Sequence, residues 1–204
     1  MTASKNDLRW RRTDEKIKRA FIEQLRKQQF EKITISNVIT SARISRKAFY
    51  LHYHDKYDFL ARQESQLLAL LQAALIKDHQ HFKQVLTKQD RLQRQSYLTI
   101  NHELTILNQH RQIVKALLST NGDPRFKHQL HQLLANEIYL RIKMYHAKLT
   151  TQIPQRYSMA ILVDGLFDLV NSWLQNPHPE SVDHFAQILT TSRLLAPLDL
   201  LRTR

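Results

Sequence analysis

The 204-residue chain is long enough for one sizeable core or two modest ones, and it contains no cysteine and only two glycines, Gly122 and Gly165. Without cysteine there is no disulfide framework, thiolate nucleophile or Cys-ligated metal cluster, and two glycines cannot assemble a P-loop or a dinucleotide fingerprint. The net charge of +13 is concentrated at the front: residues 1–62 hold 15 lysines and arginines against 7 aspartates and glutamates, and residues 63–204 hold 16 against 11. A basic, compact segment with interleaved aromatics suits a phosphate-rich partner, although a solvated surface explains charge alone equally well. Few glycines and prolines with abundant Leu, Gln, Lys and Ala predict an all-α fold. The first residues lack the apolar core of a signal peptide, and the apolar stretches at 67–76 and 161–170 are interrupted and too short for a bilayer. A soluble, cytoplasmic protein is expected, with no membrane partner.

In chain order, Ile17, Ala20, Phe21 and Leu25 recur at helical spacing, which predicts a first amphipathic helix over about 14–27 with Asp14 as its cap. Arg9, Arg11 and Arg12 precede it, expected as a solvated tail, with an arm in the DNA minor groove as the other reading. Thr34 caps a short helix carrying Val38, Ile39 and Ala42 inward and ending near 41–43. Ser45 caps another with Ala48 and Phe49 inward, and Asp55 caps a long helix from Lys56 to about Ile76. Further helices are predicted at about 91–108, 111–119, 124–150, 154–175 and 181–195. Breaks between them fall at His110, Asn121 to Asp123, Gln152 to Pro154 and Asn176 to Pro179.

Two short helices separated by a tight turn inside a basic segment form the helix-turn-helix arrangement, whose second helix enters the major groove. The string ITISNVITSARISRKAFYLHYHDKYDFL, residues 33–60, resembles the DNA-binding signature of the TetR family of bacterial regulators, through Phe49-Tyr50-x-His52-Tyr53 and Asp55-Lys56 above all. Two positions depart from it. Arg43 stands where the family usually has glycine, so a positive-φ turn there carries a side-chain penalty, and Lys47 replaces a frequent small residue.

The resemblance implies a helix-turn-helix domain over residues 1–62 and a helical regulatory and dimerisation domain over 63–204. Arg46 and Lys47 are the candidates for guanine edges. Thr34, Ser45, Tyr50, His52 and Lys56 match positions used on backbone phosphate or at the groove edge, with the helix start at Lys56 adding N–H donors. The segment MAILVDGLFDLVNSWLQN resembles the family's penultimate helix, including Gly165 and Trp173-Leu174. A homodimer through residues 154–195 is expected: Met159 to Leu174 is apolar nearly all round, and Val182, Phe185, Ala186 and Leu189 form a second stripe. The expected partners are a double-stranded, palindromic DNA operator, a second copy of the chain and a small-molecule effector.

Tyr97, Asn101, Tyr139 and Asp164 are the candidate effector-pocket residues, their alternative role being to finish the core. The pairs His52 and His54, His79 and His81, and His128 and His131 lack a third ligand at fixed spacing, so no metal or other cofactor is expected. Nor is an enzyme, since no nucleophile elbow, carboxylate pair or zincin motif occurs. The competing function is a helical co-activator or adaptor whose basic face is incidental.

Overall fold

Polar caps fix where the first helices begin in the computed structural model, which describes residues 8–82, 100–144 and 147–192. Thr34 Oγ1 accepts from Asn37 N at 3.1 Å while Asn37 Oδ1 accepts from Thr34 N at 3.2 Å, a reciprocal capping box. Ser45 Oγ accepts from Ala48 N at 3.1 Å, and Asp55 Oδ1 accepts from Asp58 N at 2.7 Å. The resulting order is α1 (Leu8–Lys27), a 3-10 turn (Phe30–Lys32), α2 (Ile35–Ala42), α3 (Arg46–His52) and α4 (Lys56–Phe82). There follow α5, helical over the described residues 100–109, then α6 (Arg111–Leu117), α7 (Pro124–Met144), α8 (Gln155–Gln175) and α9 (Val182–Ser192). The fold is all-α, and among the described residues there is no strand.

These residues divide into two compact units: those up to Leu67 with Gln112–Lys127, and Leu68–Arg111 with those from His128 onward. In the first unit, Ile17, Phe21 and Leu25 of α1, Val38 of α2, Phe49 of α3 and Phe59 of α4 are all buried. Burial of side chains this size stabilises by roughly 1.5–3 kcal/mol each. Phe21 stacks on Phe59 at 3.9 Å, and Tyr53 meets Phe59 edge-on at 5.0 Å. Segment 112–127 joins this unit through backbone: Asn121 O accepts from Phe30 N at 3.1 Å, and Asn121 Nδ2 donates to Leu25 O at 3.0 Å. Gly122 is required there, because a Cβ would stand 2.0 Å from the Leu117 carbonyl oxygen.

In the second unit Trp173 of α8 is the anchor. It stacks on Phe185 of α9 at 4.8 Å, donates Nε1–H to Glu180 O at 2.9 Å and carries the Arg111 guanidinium 4.5 Å above its ring. Phe185, Ala186 and Leu189 are thereby buried within the chain's own core. Three of the four residues of the α9 stripe expected at a dimer interface are therefore internal, and Val182 remains part-exposed. What α8 leaves outside is Tyr157, Ile161, Leu162 and Leu169, with Ile161 66% exposed.

Helix extents depart from expectation where no breaker sits. Leu8 to Thr13 contains no glycine or proline, so α1 is helical from the first described residue and holds Arg9, Arg11 and Arg12 in its opening turns instead of a tail. Asp14 is an interior residue and not a cap. For the same reason α4 continues six residues past Ile76. α7 spans Pro124–Met144 and residues 147–150 are not helical, so it ends short of the expected 150, ahead of the β-branched run Thr150-Thr151 and of Ile153-Pro154, which disfavour helix.

Candidate nucleic-acid interface

α2 and α3 are joined by a turn that only one backbone conformation closes. Arg43 adopts φ 52° and ψ 51°, and the Ile44 N–H donates to Ile39 O at 3.1 Å, which ends α2 and reverses the chain. Arg43 is the sole non-glycine residue with positive φ among the described residues. The left-handed turn inferred at this position is present, with an arginine carrying the strain.

The seven residues of α3 sort by face. Phe49 is fully buried and His52 nearly so, whereas Arg46, Lys47, Tyr50 and Leu51 point outward. Arg46 Nη2 donates to Ser36 Oγ on α2 at 3.1 Å, which holds the guanidinium across the turn while leaving further N–H donors on its outer side. Lys47 is exposed, and Tyr50 stands edge-on to Phe49 at 5.5 Å with 46% of its surface exposed. Leu51, which sequence inspection passed over, is 61% exposed. Its signal was legible: it falls four residues after Lys47 and two after the inward Phe49, hence on the outer face.

The remaining candidates cap the helices or pack beneath α3. Ser45 uses its oxygen lone pair on Ala48 N and retains a hydroxyl hydrogen. The Thr34 hydroxyl is used in both directions, accepting from Asn37 N and donating to Asn37 Oδ1 at 2.5 Å. His52, expected at phosphate, is buried against Trp10 with ring centroids 3.7 Å apart and has Asp14 at 3.8 Å. Burial holds its pKa below the ordinary histidine value, and the Asp14 charge only partly opposes this.

Lys56, also expected at phosphate, is committed inward. Its Nζ donates to the carbonyls of Phe30 at 3.0 Å, Glu31 at 2.6 Å and Ile33 at 3.0 Å, three acceptors for its three hydrogens, and lies 5.0 Å from the Phe30 ring centroid. At the start of α4, Asp55 Oδ1 accepts from Asp58 N and Asp58 Oδ2 accepts from His54 N at 2.9 Å, so two carboxylates stand where the resemblance implies a phosphate. Residues that a signature groups together therefore split into an outward set (Arg46, Lys47, Tyr50, Ser45) and a positioning set (His52, Lys56, Thr34).

Of the three described pocket candidates, Tyr139 and Asp164 are exposed and Asn101 is part-exposed. Tyr97 lies outside the described residues. Asn101 Nδ2 donates to Asp183 Oδ1 at 2.6 Å and so ties α5 to α9. Tyr139 is half exposed beneath the Lys143 ammonium, and exposed Asp164 is bound to His131 Nε2 at 2.7 Å. Among the described residues no three His, Asp or Glu side chains converge on a metal position, and no helix is long and apolar enough to cross a membrane.

Residues 94–193 match a family model described as the transcriptional regulator C-terminal region, TetR_C_8. Among solved structures, the TetR transcriptional regulator from Streptococcus agalactiae 2603V is 24% identical with a TM-score of 0.55, over 90% of this chain and 94% of that one. FadR from Bacillus subtilis, a transcriptional regulator in complex with stearoyl-CoA, is 14% identical with a TM-score of 0.53, over 87% and 95%. The fatty acid degradation regulator FadR from Bacillus halodurans is 13% identical with a TM-score of 0.57, over 98% and 100%. Comparison with curated proteins gives no match.

Proposed function

The chain belongs to the TetR family of transcriptional regulators, and from that premise we propose that it is a cytoplasmic, ligand-responsive repressor that binds a palindromic DNA operator as a homodimer. The observation that carries the reading is the outer face of α3, where exposed Arg46, Lys47 and Tyr50 stand on a helix anchored from behind by Phe49 and by His52 against Trp10. Guanidinium and ammonium groups there suit the O6 and N7 acceptors of guanine. Tyr50 and the Ser45 hydroxyl suit phosphate, which fixes register without reading sequence. DNA reading is assigned to the first unit, dimerisation and effector binding to the second.

The exposed apolar face of α8, Tyr157, Ile161, Leu162 and Leu169, supports the dimer, because a second copy would cover it. Two recognition helices would then lie about 34–36 Å apart, one turn of DNA, on an inverted repeat. An effector releases DNA only by binding the DNA-incompetent arrangement more tightly.

A salt-dependent gel shift with DNA from upstream of the chain's own coding sequence tests the reading. Retention of one site over scrambled DNA, weakening steeply with salt, is expected. Acyl-CoAs, stearoyl-CoA among them, are the first effectors to add, since the fold-similar Bacillus subtilis protein holds one. Equal binding of all DNA, or none, would return the chain to the adaptor class.

A further inference from the structure

An exposed leucine by itself says little, since about half of any protein surface is apolar. Leu51 differs in its surroundings. It stands 61% exposed on α3 one helical turn beyond Lys47, with Tyr50 beside it. Successive residues of a helix are about 100° apart, so Leu51 lies about 40° from Lys47 and about 160° from the buried Phe49. It is therefore an apolar group placed within a cationic, groove-facing surface, where the unit's charge favours the approach of phosphate-bearing DNA on either side of it.

Resting on the proposed DNA-binding role, we propose that Leu51 is a specificity residue that reads the C5-methyl group of a thymine in the major groove. The other base edges there are polar, and pressing an isobutyl group against an amino or carbonyl edge strips water without replacing its hydrogen bonds. Only thymine offers an apolar surface of matching size. Lys47 and Leu51 are separated by about 6 Å along the helix, so the thymine falls within one or two base-pair steps of the pair that Lys47 contacts. One leucine in each protomer of a dimer would impose the preference at two symmetry-related positions.

The test enriches operators from a randomised duplex pool with the full-length wild type and with Leu51→Ala, a substitution at an exposed position that leaves Phe49 and the Ser45 cap in place. Each enriched thymine is then replaced by uracil, which removes the methyl group alone. We expect uracil at one symmetric pair of positions to weaken the wild type about three- to fivefold per half-site, the worth of one buried methyl. Leu51→Ala should bind the thymine and uracil duplexes equally, with an unchanged salt slope. Retained DNA with equal wild-type binding of the two duplexes at every position, or discrimination that survives in Leu51→Ala, overturns this inference alone. A protein that enriches no sequence overturns it together with the role on which it rests.

Discussion

Trp10 lies flat against His52, ring centroids 3.7 Å apart and planes 24° from parallel, so the opening turns of α1 close over the C-terminal end of α3. Burial keeps the imidazole neutral and sets its folded pKa below the ordinary 6.5. The unfolded chain then takes up the proton first. Stability from this site is complete above pH 6.5 and is lost as pH falls through 6.5 toward the folded value. His52→Phe preserves an aromatic pair and removes the titration. Urea unfolding at about pH 7.5 and about pH 5.5 should show a larger loss for the wild type than for the variant; equal losses would remove His52 from the acid response.

Lys56 holds the carbonyls of Phe30, Glu31 and Ile33 with one ammonium group, and that closure fixes the 3-10 turn from which α2 departs. Lys56→Met keeps most of the stem and strands the carbonyls. A charged hydrogen-bonding group of this kind contributes about 1.5–3 kcal/mol, so the denaturation midpoint should fall accordingly. The slope of log affinity against log salt for DNA should stay as in the wild type. A slope shallower by about one unit at unchanged stability would restore Lys56 to a phosphate.

Arg43 sits at φ 52°, a conformation that costs an L-residue with a Cβ roughly 1–2 kcal/mol. Glycine removes that strain but loses more chain entropy on folding, about 0.5–1 kcal/mol. Arg43→Gly should thus raise stability by about 0.5–1 kcal/mol and Arg43→Val should lower it, each followed by thermal unfolding. A glycine variant less stable than the wild type would mean that the exposed guanidinium contributes more than the backbone loses.

The caps Thr34, Ser45 and Asp55 and the inward set Ile17, Phe21, Leu25, Val38 and Phe49 were legible in sequence because each depends on neighbours within a turn or two of chain, whereas the strained turn at Arg43 came from the family resemblance, in which glycine is usual there. What was not legible depends on distant partners. His52 and Lys56 look like surface cations until Trp10 and the carbonyls of residues 30–33 are placed around them. Asn121 looks like an ordinary loop residue, yet it bonds to Phe30 and Leu25. The α9 stripe carries the same periodicity whether it faces a partner or Trp173 of its own chain, and only packing distinguishes the two.

Glu64 of α4 is half-buried beside the 123–125 turn, and its Oε1 has no hydrogen-bond partner among the described residues. Burial first, and the Asp123 carboxylate second, push its pKa up to about 7 against the attraction of Arg125. Arg125 is already engaged with Asp123, Nη2 to Oδ2 at 2.8 Å. Here the folded state keeps the proton longer than the unfolded one, so stability falls as pH rises from the ordinary 4.5 to about 7 and stays reduced above it. Glu64→Gln should exceed the wild type by about 1–2 kcal/mol at about pH 8, after allowance for solvent screening, and match it near the ordinary 4.5. The slope is opposite to that of His52, so the two variants separate the two groups. A Glu64→Gln protein no more stable than the wild type at that alkaline pH would place the carboxylate in contact with water.

Ile161, 66% exposed in the first half of α8, shares its face with Tyr157, one turn before, and with Leu169, two turns after, and Gly165 lies between Ile161 and Leu169 with open space where a Cβ would stand. A bare glycine flanked by exposed apolar side chains lets a second helix approach closely. Nothing in that row contributes to the chain's own core, which α8 fills from the other side with Val163, Phe167 and Trp173. Ile161→Glu should therefore leave the monomer's helix content and thermal unfolding at low concentration nearly unchanged while placing like charges at a two-fold contact. Sedimentation at micromolar concentration should show a dimer for the wild type and a monomer for the variant. Binding to a single half-site should survive, and the gain from adding the second half-site should vanish, because that gain comes from linking two DNA-binding units. A wild type that sediments as a monomer, or an Ile161→Glu protein that remains dimeric and still distinguishes full operator from half-site, would move the interface off this face of α8.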